Sequence, residues 1–128
     1  MKIPGELKYS KEHEWVKVEG DVATIGITEF AQSELGDLVF VELPAVGKTV
    51  KPKETLCVVE STKAASDVYA PLGGTVREVN NALKQKPELI NSSPYAEGWI
   101  VKLGGVSAAD LAGLMSAEEY RAFLGAKA

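Results

Sequence analysis

Few residues in this chain of 128 could do chemistry by type alone. It holds one cysteine, Cys57, and one histidine, His13. A catalytic Cys-His pair with an orienting group, or a zinc site, needs more ligands than that. Cys57 lies in the apolar run 56–59 and reads as a small buried hydrophobe on a strand. No phosphate-cradling glycine loop, nucleophile elbow or metal-ligand cluster occurs. The close acidic pairs Glu12/Glu14 and Glu118/Glu119 read as solvated charges when no other catalytic group accompanies them. What remains is an amine. Twelve lysines are present, and Lys63 stands apart from the others by its context, L-C-V-V-E-S-T-K-A-A-S-D-V-Y-A-P at 56–71.

Two β-prone apolar runs, 56–59 and 68–70, flank a short segment of small and polar residues, which predicts a hairpin with Lys63 at its tip. Ser61, Thr62, Ala64, Ala65 and Ser66 are too small to obstruct a modifying enzyme that approaches the amine. A ligase needs an accessible amine in a defined geometry, and a tight tip provides one. The bland reading of any lysine is a solvated surface charge. On the residues alone both readings stand.

The elements that would hold this tip are mostly strands. After an N-terminal arm over 1–13, residues 15–19, the turn Gly20-Asp21 and residues 22–27 form a hairpin signature. Val16 and Val18 alternate there with Trp15 and Lys17. Thr28 is suited to cap a short helix over Glu29–Leu35, with Gly36 as a left-handed stop. A strand over 38–43 should place Val39, Val41 and Leu43 on one face and Phe40 and Glu42 on the other. Further strands are predicted over 75–79 and 99–103, and helical turns over 80–84 and 87–90. In the tail, Ser107 with Asp110 and Ser116 with Glu119 fit helix N-termini, and the apolar residues around them should pack as core. The fold class is therefore mainly β, a β-sandwich or flattened barrel with short helices and a C-terminal helical segment. Residues 1–104 form the sandwich, and the helices over 105–128 pack on the same domain.

Composition bounds the partners. Apolar residues make up 45% and charged residues 25%, ordinary for one globular domain. The net charge is −4 and no basic run occurs, which argues against nucleic acid and anionic membrane surfaces as partners. Apolar stretches run only a few residues, and M-K-I-P-G lacks the pattern of a signal or transit peptide. A cytoplasmic protein is expected.

Along 7–124 the chain resembles the H protein of the glycine cleavage system. The matching segments are H-E-W at 13–15, A-T-I-G-I-T at 23–28, A-Q at 31–32 and G-D-L-V-F-V-E-L-P at 36–44. They continue with V-E-S-T-K-A-A-S-D-V-Y-A-P at 59–71, E-V-N at 78–80, P-E-L-I-N at 87–91, P-Y at 94–95 and E-G-W at 97–99. The resemblance implies a lipoyl-type β-sandwich, a barrel-sandwich hybrid, and a non-catalytic carrier that bears lipoic acid in amide linkage on Lys63. It implies four partners: a pyridoxal-phosphate glycine decarboxylase, an aminomethyltransferase using tetrahydrofolate, a dihydrolipoamide dehydrogenase using FAD and NAD, and a lipoate-attaching enzyme. The carrier itself is expected to be a monomer.

The resemblance further implies that Glu60, Ser61, Thr62, Ala64 and Asp67 form the surface read by the attaching enzyme. Glu14, then Asp67, then Glu12 are the candidates for a carboxylate in a cleft that shelters the loaded arm. Trp99 and Pro94-Tyr95 read as packing. Several positions depart from the family pattern. Thr62 replaces a common valine, Phe30 and Glu34 replace frequent histidines, Lys53 replaces a turn glycine and Gly73 a frequent serine. Competing readings are a biotinyl domain, which would place Met on both sides of the lysine, and a lipoyl domain of a 2-oxoacid dehydrogenase, which would lack the H-E-W segment and the helical tail. Two more are a lipoyl relay for other enzymes and an unmodified β-sandwich interaction module.

Overall fold

The strand pair at the start of the fold follows from its turn. Gly20 has φ 66, a conformation glycine adopts without strain, and it joins β2 (Glu14–Glu19) to β3 (Val22–Ile27) as an antiparallel hairpin. The computed structural model describes residues 2–125, so Met1 and residues 126–128 of the expected helical segment lie outside the described residues. A short β1 (Lys8–Tyr9) pairs with the outer edge of β2.

Thr28 caps α1 (Glu29–Leu35) as the sequence predicts, its side chain accepting from Ala31 N at 3.2 Å. Gly36 closes the helix with φ 81 and ψ −161, which is positive φ but not the left-handed helical basin the sequence suggested. The chain continues through β4 (Leu38–Glu42), β5 (Thr49–Val50), β6 (Thr55–Ser61), β7 (Ala65–Tyr69) and β8 (Gly74–Val79). A 3-10 turn (Asn81–Lys84), α2 (Leu89–Ser92), β9 (Val101–Gly104), α3 (Ala108–Ala112) and α4 (Ala117–Gly125) complete it.

Two antiparallel sheets result, one in the order β1-β2-β3-β9-β8-β5 and the other β4-β6-β7. This is the expected mainly β sandwich with short helices. Between the sheets lies a core that includes Val16, Ile25, Val41, Val59, Val68 and Leu103, each at most 3% exposed. Burial of this apolar surface is the main driving force for the fold.

One face assignment differs from the sequence reading. Leu38 and Val41 point inward, while Val39 and Phe40 are exposed. A register shift between Leu38 and Phe40 in the β4–β6 pairing breaks the simple alternation. In β2, Trp15 is buried as deeply as Val16. The reason is a second core on the outer face of the larger sheet, where Leu7, Tyr9, Trp15, Ala117, Tyr120 and Leu124 meet. The rings of Tyr9 and Tyr120 stack at 4.7 Å, and the Trp15 indole donates to Pro94 O at 2.9 Å. Trp99 and Tyr95 pack against the same cluster. The helix starts in the tail obey local rules: Ser116 and Glu119 exchange the two hydrogen bonds of a capping box, at 2.9 and 3.2 Å.

Candidate functional site

Lys63 occupies the turn between β6 and β7, and it is exposed. The turn is closed by Ser61 N donating to Ala64 O at 2.8 Å. Ser61 does more than stay small. Its hydroxyl accepts from Lys63 N at 3.1 Å and from Ala64 N at 3.2 Å, a side-chain turn that sets the backbone on both sides of the amine. Glu60 pairs with Ala65 at the last rung of the ladder, and Thr62 N donates to Asp37 O at 3.2 Å. Among the described residues the Lys63 ammonium has no hydrogen bond or ion pair; the ion pair present joins Arg77 to Asp21 at 3.4 Å.

A cleft of about 170 Å³ opens between the hairpin and α1. Its apolar lining includes Ile27, Leu35, Val59 and Val68, and its polar lining includes Glu12, His13, Glu14, Glu34 and Asp67. The structure thus brings together all three acids proposed from the sequence. Ser66 and Asp67, on the same cleft wall, lie three and four residues beyond Lys63, so the Lys63 backbone is within roughly 13 Å of that wall at about 3.3 Å per residue.

Glu14 is the unusual member. At 2% exposed it lies on β2, and it bridges the two sheets by accepting from Tyr69 N on β7 at 3.3 Å. Its other oxygen accepts from the Ser10 hydroxyl, and Ser10 Oγ in turn accepts from Glu14 N at 3.0 Å. Burial pushes the carboxyl up from 4.5 to about 7, helped by the negative charge of Glu12 and opposed by the hydrogen bonds from Ser10 and Tyr69. A group so poised holds or yields a proton near neutral pH. Asp67 is exposed and Glu12 stands at the cleft mouth, also lining a separate cavity of about 380 Å³ toward α3.

Ser10, which bonds Glu14, and His13, in the cleft wall, were not among the site residues expected from the sequence. Ser10 lies in an irregular arm without periodicity and is held by local bonds: its amide donates to Glu14 O and its carbonyl accepts from His13 N. His13 adopts φ 71, uncommon for a residue with a Cβ, which puts its ring over Phe30 at 4.7 Å with Nδ1 2.9 Å from Tyr120 Oη. Phe30 and Glu34, noted as departures from the family pattern, both line the cleft. Lys53 has φ 72, so the turn that lacks its usual glycine is strained. Cys57 is buried and free, and burial raises its thiol to about 12, in keeping with its reading as a small hydrophobe. Among the described residues no group of side chains could hold a metal ion, and no helix is long and apolar enough to cross a membrane.

Comparison with known proteins agrees over nearly the whole chain. The family model of the glycine cleavage H-protein matches residues 7–127. A glycine cleavage system H protein from Coprothermobacter proteolyticus is 59% identical over 98% of this chain and 99% of its own length. One from Symbiobacterium thermophilum is 55% identical over 94% of each. The crystal structure of a glycine cleavage system H protein from Mycobacterium marinum superposes with a TM-score of 0.86 at 40% identity, covering 96% of this chain and 99% of that one. The two-sheet architecture is accordingly the lipoyl-type β-sandwich.

Proposed function

Because the chain belongs to the glycine cleavage H-protein family, we propose that it is the lipoyl-bearing carrier of that system, with Lys63 as the attachment residue. The observation that carries the reading is the tip itself: an exposed amine without a polar partner among the described residues, on a turn fixed by Ser61, beside a cleft lined by acids. These residues suit the group. Amide formation removes the ammonium charge, and no described contact of that charge is lost. A lipoyl group bound there supplies a disulfide that takes up the aminomethyl fragment of glycine and afterwards carries electrons. In this role the partners are the glycine decarboxylase, the aminomethyltransferase, the dihydrolipoamide dehydrogenase and the lipoate-attaching enzyme. The chain performs no bond-making of its own; it raises the local concentration of a tethered fragment at successive sites.

The residues divide the work. Ser61 holds the turn, and Glu60, Thr62, Ala64 and Asp67 surround the amine as the surface an attaching enzyme reads. The apolar lining of the cleft excludes water from whatever lies in it. Glu14, whose carboxyl burial raises to about 7, would offer a negative charge to a cationic amine brought into the cleft, since an adjacent cation favours the charged form. Asp67 and Glu12 add negative potential from the rim. The overall acidic balance favours docking on basic patches, with an association rate that falls as salt rises.

Intact-mass measurement after expression with a lipoate ligase tests the reading. A lipoyl-sized increase that disappears in Lys63→Arg is expected. No increase, or one that persists in the variant, refutes it. Reconstituted glycine decarboxylation then separates service in glycine cleavage from a relay of lipoyl groups to other enzymes.

A further inference from the structure

We infer that Asn91 is a positioning residue for the lysine hairpin, fastening the corner between α1 and β4 against which the tip rests. This inference rests on the reading of Lys63 as the acylated residue. Asn91 is 28 residues from Lys63 in sequence, on the short helix α2. Its side chain uses both ends of the amide. Oδ1 accepts from Leu38 N at 2.9 Å, and Nδ2 donates to Gly36 O and to Gln32 Oε1, each at 2.9 Å. One donor on one side and two acceptors on the other leave a single orientation of the amide. Three bonds thus span the last turn of α1, Gly36 and the first residue of β4.

The fastened segment touches the hairpin directly. Asp37, between the two anchored residues, accepts from Thr62 N at 3.2 Å. The stem of Lys63 lies along the bare face of Gly36: a Cβ at that position would come within 3.4 Å of Lys63 Cε and 3.7 Å of Nζ. The corner therefore offers the tip one backbone hydrogen bond and one smooth surface. Ser61 shapes the turn from within; the corner fixes where the turn sits on the sandwich. A turn held in one place loses less freedom when an enzyme engages it, so its apparent affinity is higher. Loss of the clamp should weaken recognition of the lysine and leave the chemical step intact. Residues of three sequence segments, A-Q at 31–32, G-D at 36–37 and P-E-L-I-N at 87–91, acquire a common purpose in this network.

The test uses the full chain with Asn91→Ala, and Gln32→Ala as a milder variant that removes one of the two acceptors orienting the amide. Hydrogen exchange reports the clamp without any ligase. Amides of Thr62, Lys63 and Ala64 should exchange about tenfold faster in Asn91→Ala, as expected when about one net hydrogen bond of local stability is lost, while those of Val59 and Val68 keep wild-type protection. With purified lipoate ligase, KM for the protein substrate should rise about fivefold or more at unchanged kcat. Gln32→Ala should move both readouts in the same direction by less. Tip exchange equal to wild type, or exchange raised uniformly across β6 and β7, overturns the inference, whichever variant is the one that folds. An unchanged KM alongside a loosened tip also overturns it. Wild-type protein that takes no lipoyl group refutes instead the carrier reading, and the exchange result still decides whether the clamp exists.

Discussion

Replacing Glu14 with Gln should make stability less dependent on pH, and the size of the effect follows from burial. Glu14 is 2% exposed, and its carboxyl is raised from 4.5 to about 7, with desolvation the largest cause. In the unfolded chain the same group ionises near 4.5. Between those two values the folded state holds a proton that the unfolded state has released, so stability falls as pH climbs. The contribution is complete below the unfolded value and is lost as pH rises through the folded one. The full difference amounts to about 3 kcal/mol between acid and alkaline limits. Gln carries no charge at any pH in this range and can still accept from Tyr69 N. The stability of Glu14→Gln minus that of wild type should therefore grow between pH 5 and pH 8.5, approaching about 3 kcal/mol, or about 10 °C in Tm. Denaturant melts of both proteins at half-unit pH steps measure it, and the difference between variant and wild type cancels the other carboxylates. A difference that stays flat across the range, or shrinks as pH rises, refutes the argument, because a solvated or well-paired Glu14 would ionise at the same pH in both states. The carboxyl carbon of Glu14, followed by NMR, should titrate near 7.

Other consequences are simpler. Gly26 lies against the Trp15 indole, and a Cβ there would come within 2.6 Å of Nε1, so Gly26→Ala should cost about 2–3 kcal/mol in chemical denaturation through overpacking of the second core. Lys53→Gly should do the opposite. At φ 72 the lysine is strained, and relief net of the extra freedom of glycine in the unfolded chain should stabilise by about 0.5–1 kcal/mol, read as a higher denaturation midpoint. Cys57, buried and raised to about 12, should resist a thiol reagent at pH 8 in the native protein and react fully in denaturant. Rapid labelling without denaturant would contradict the packing of β6.

Much of the scaffold was legible before any coordinates because its determinants are local. Thr28, Ser107 and Ser116 bind backbone amides three residues on, and Gly20 adopts the positive φ of its turn within a single hairpin. Lys63 was legible for the same reason, since small residues on both sides and apolar runs beyond them define a tip. The faces of β4 were not, nor was the cover over the Trp15 face of β2. A register shift along β4 breaks the period of two, and a second core covers the Trp15 face of β2, which alternation alone does not reveal. Both depend on which distant segments arrive.

The site divides along the same line. By itself the sequence determined that one lysine stands on a hairpin with nothing bulky beside it, and its motifs identify the family. Only the tertiary structure decided what surrounds that lysine. Glu14 reads as one more surface acid until Tyr69 and the hydrophobic core enclose it, and Asn91 is only the residue after an expected helical turn until α2 brings it against Gly36 and Leu38. The reason is physical: a cap or a turn is an interaction between neighbours in the chain, whereas desolvation and long-range hydrogen bonding exist only once the sheets have closed over them.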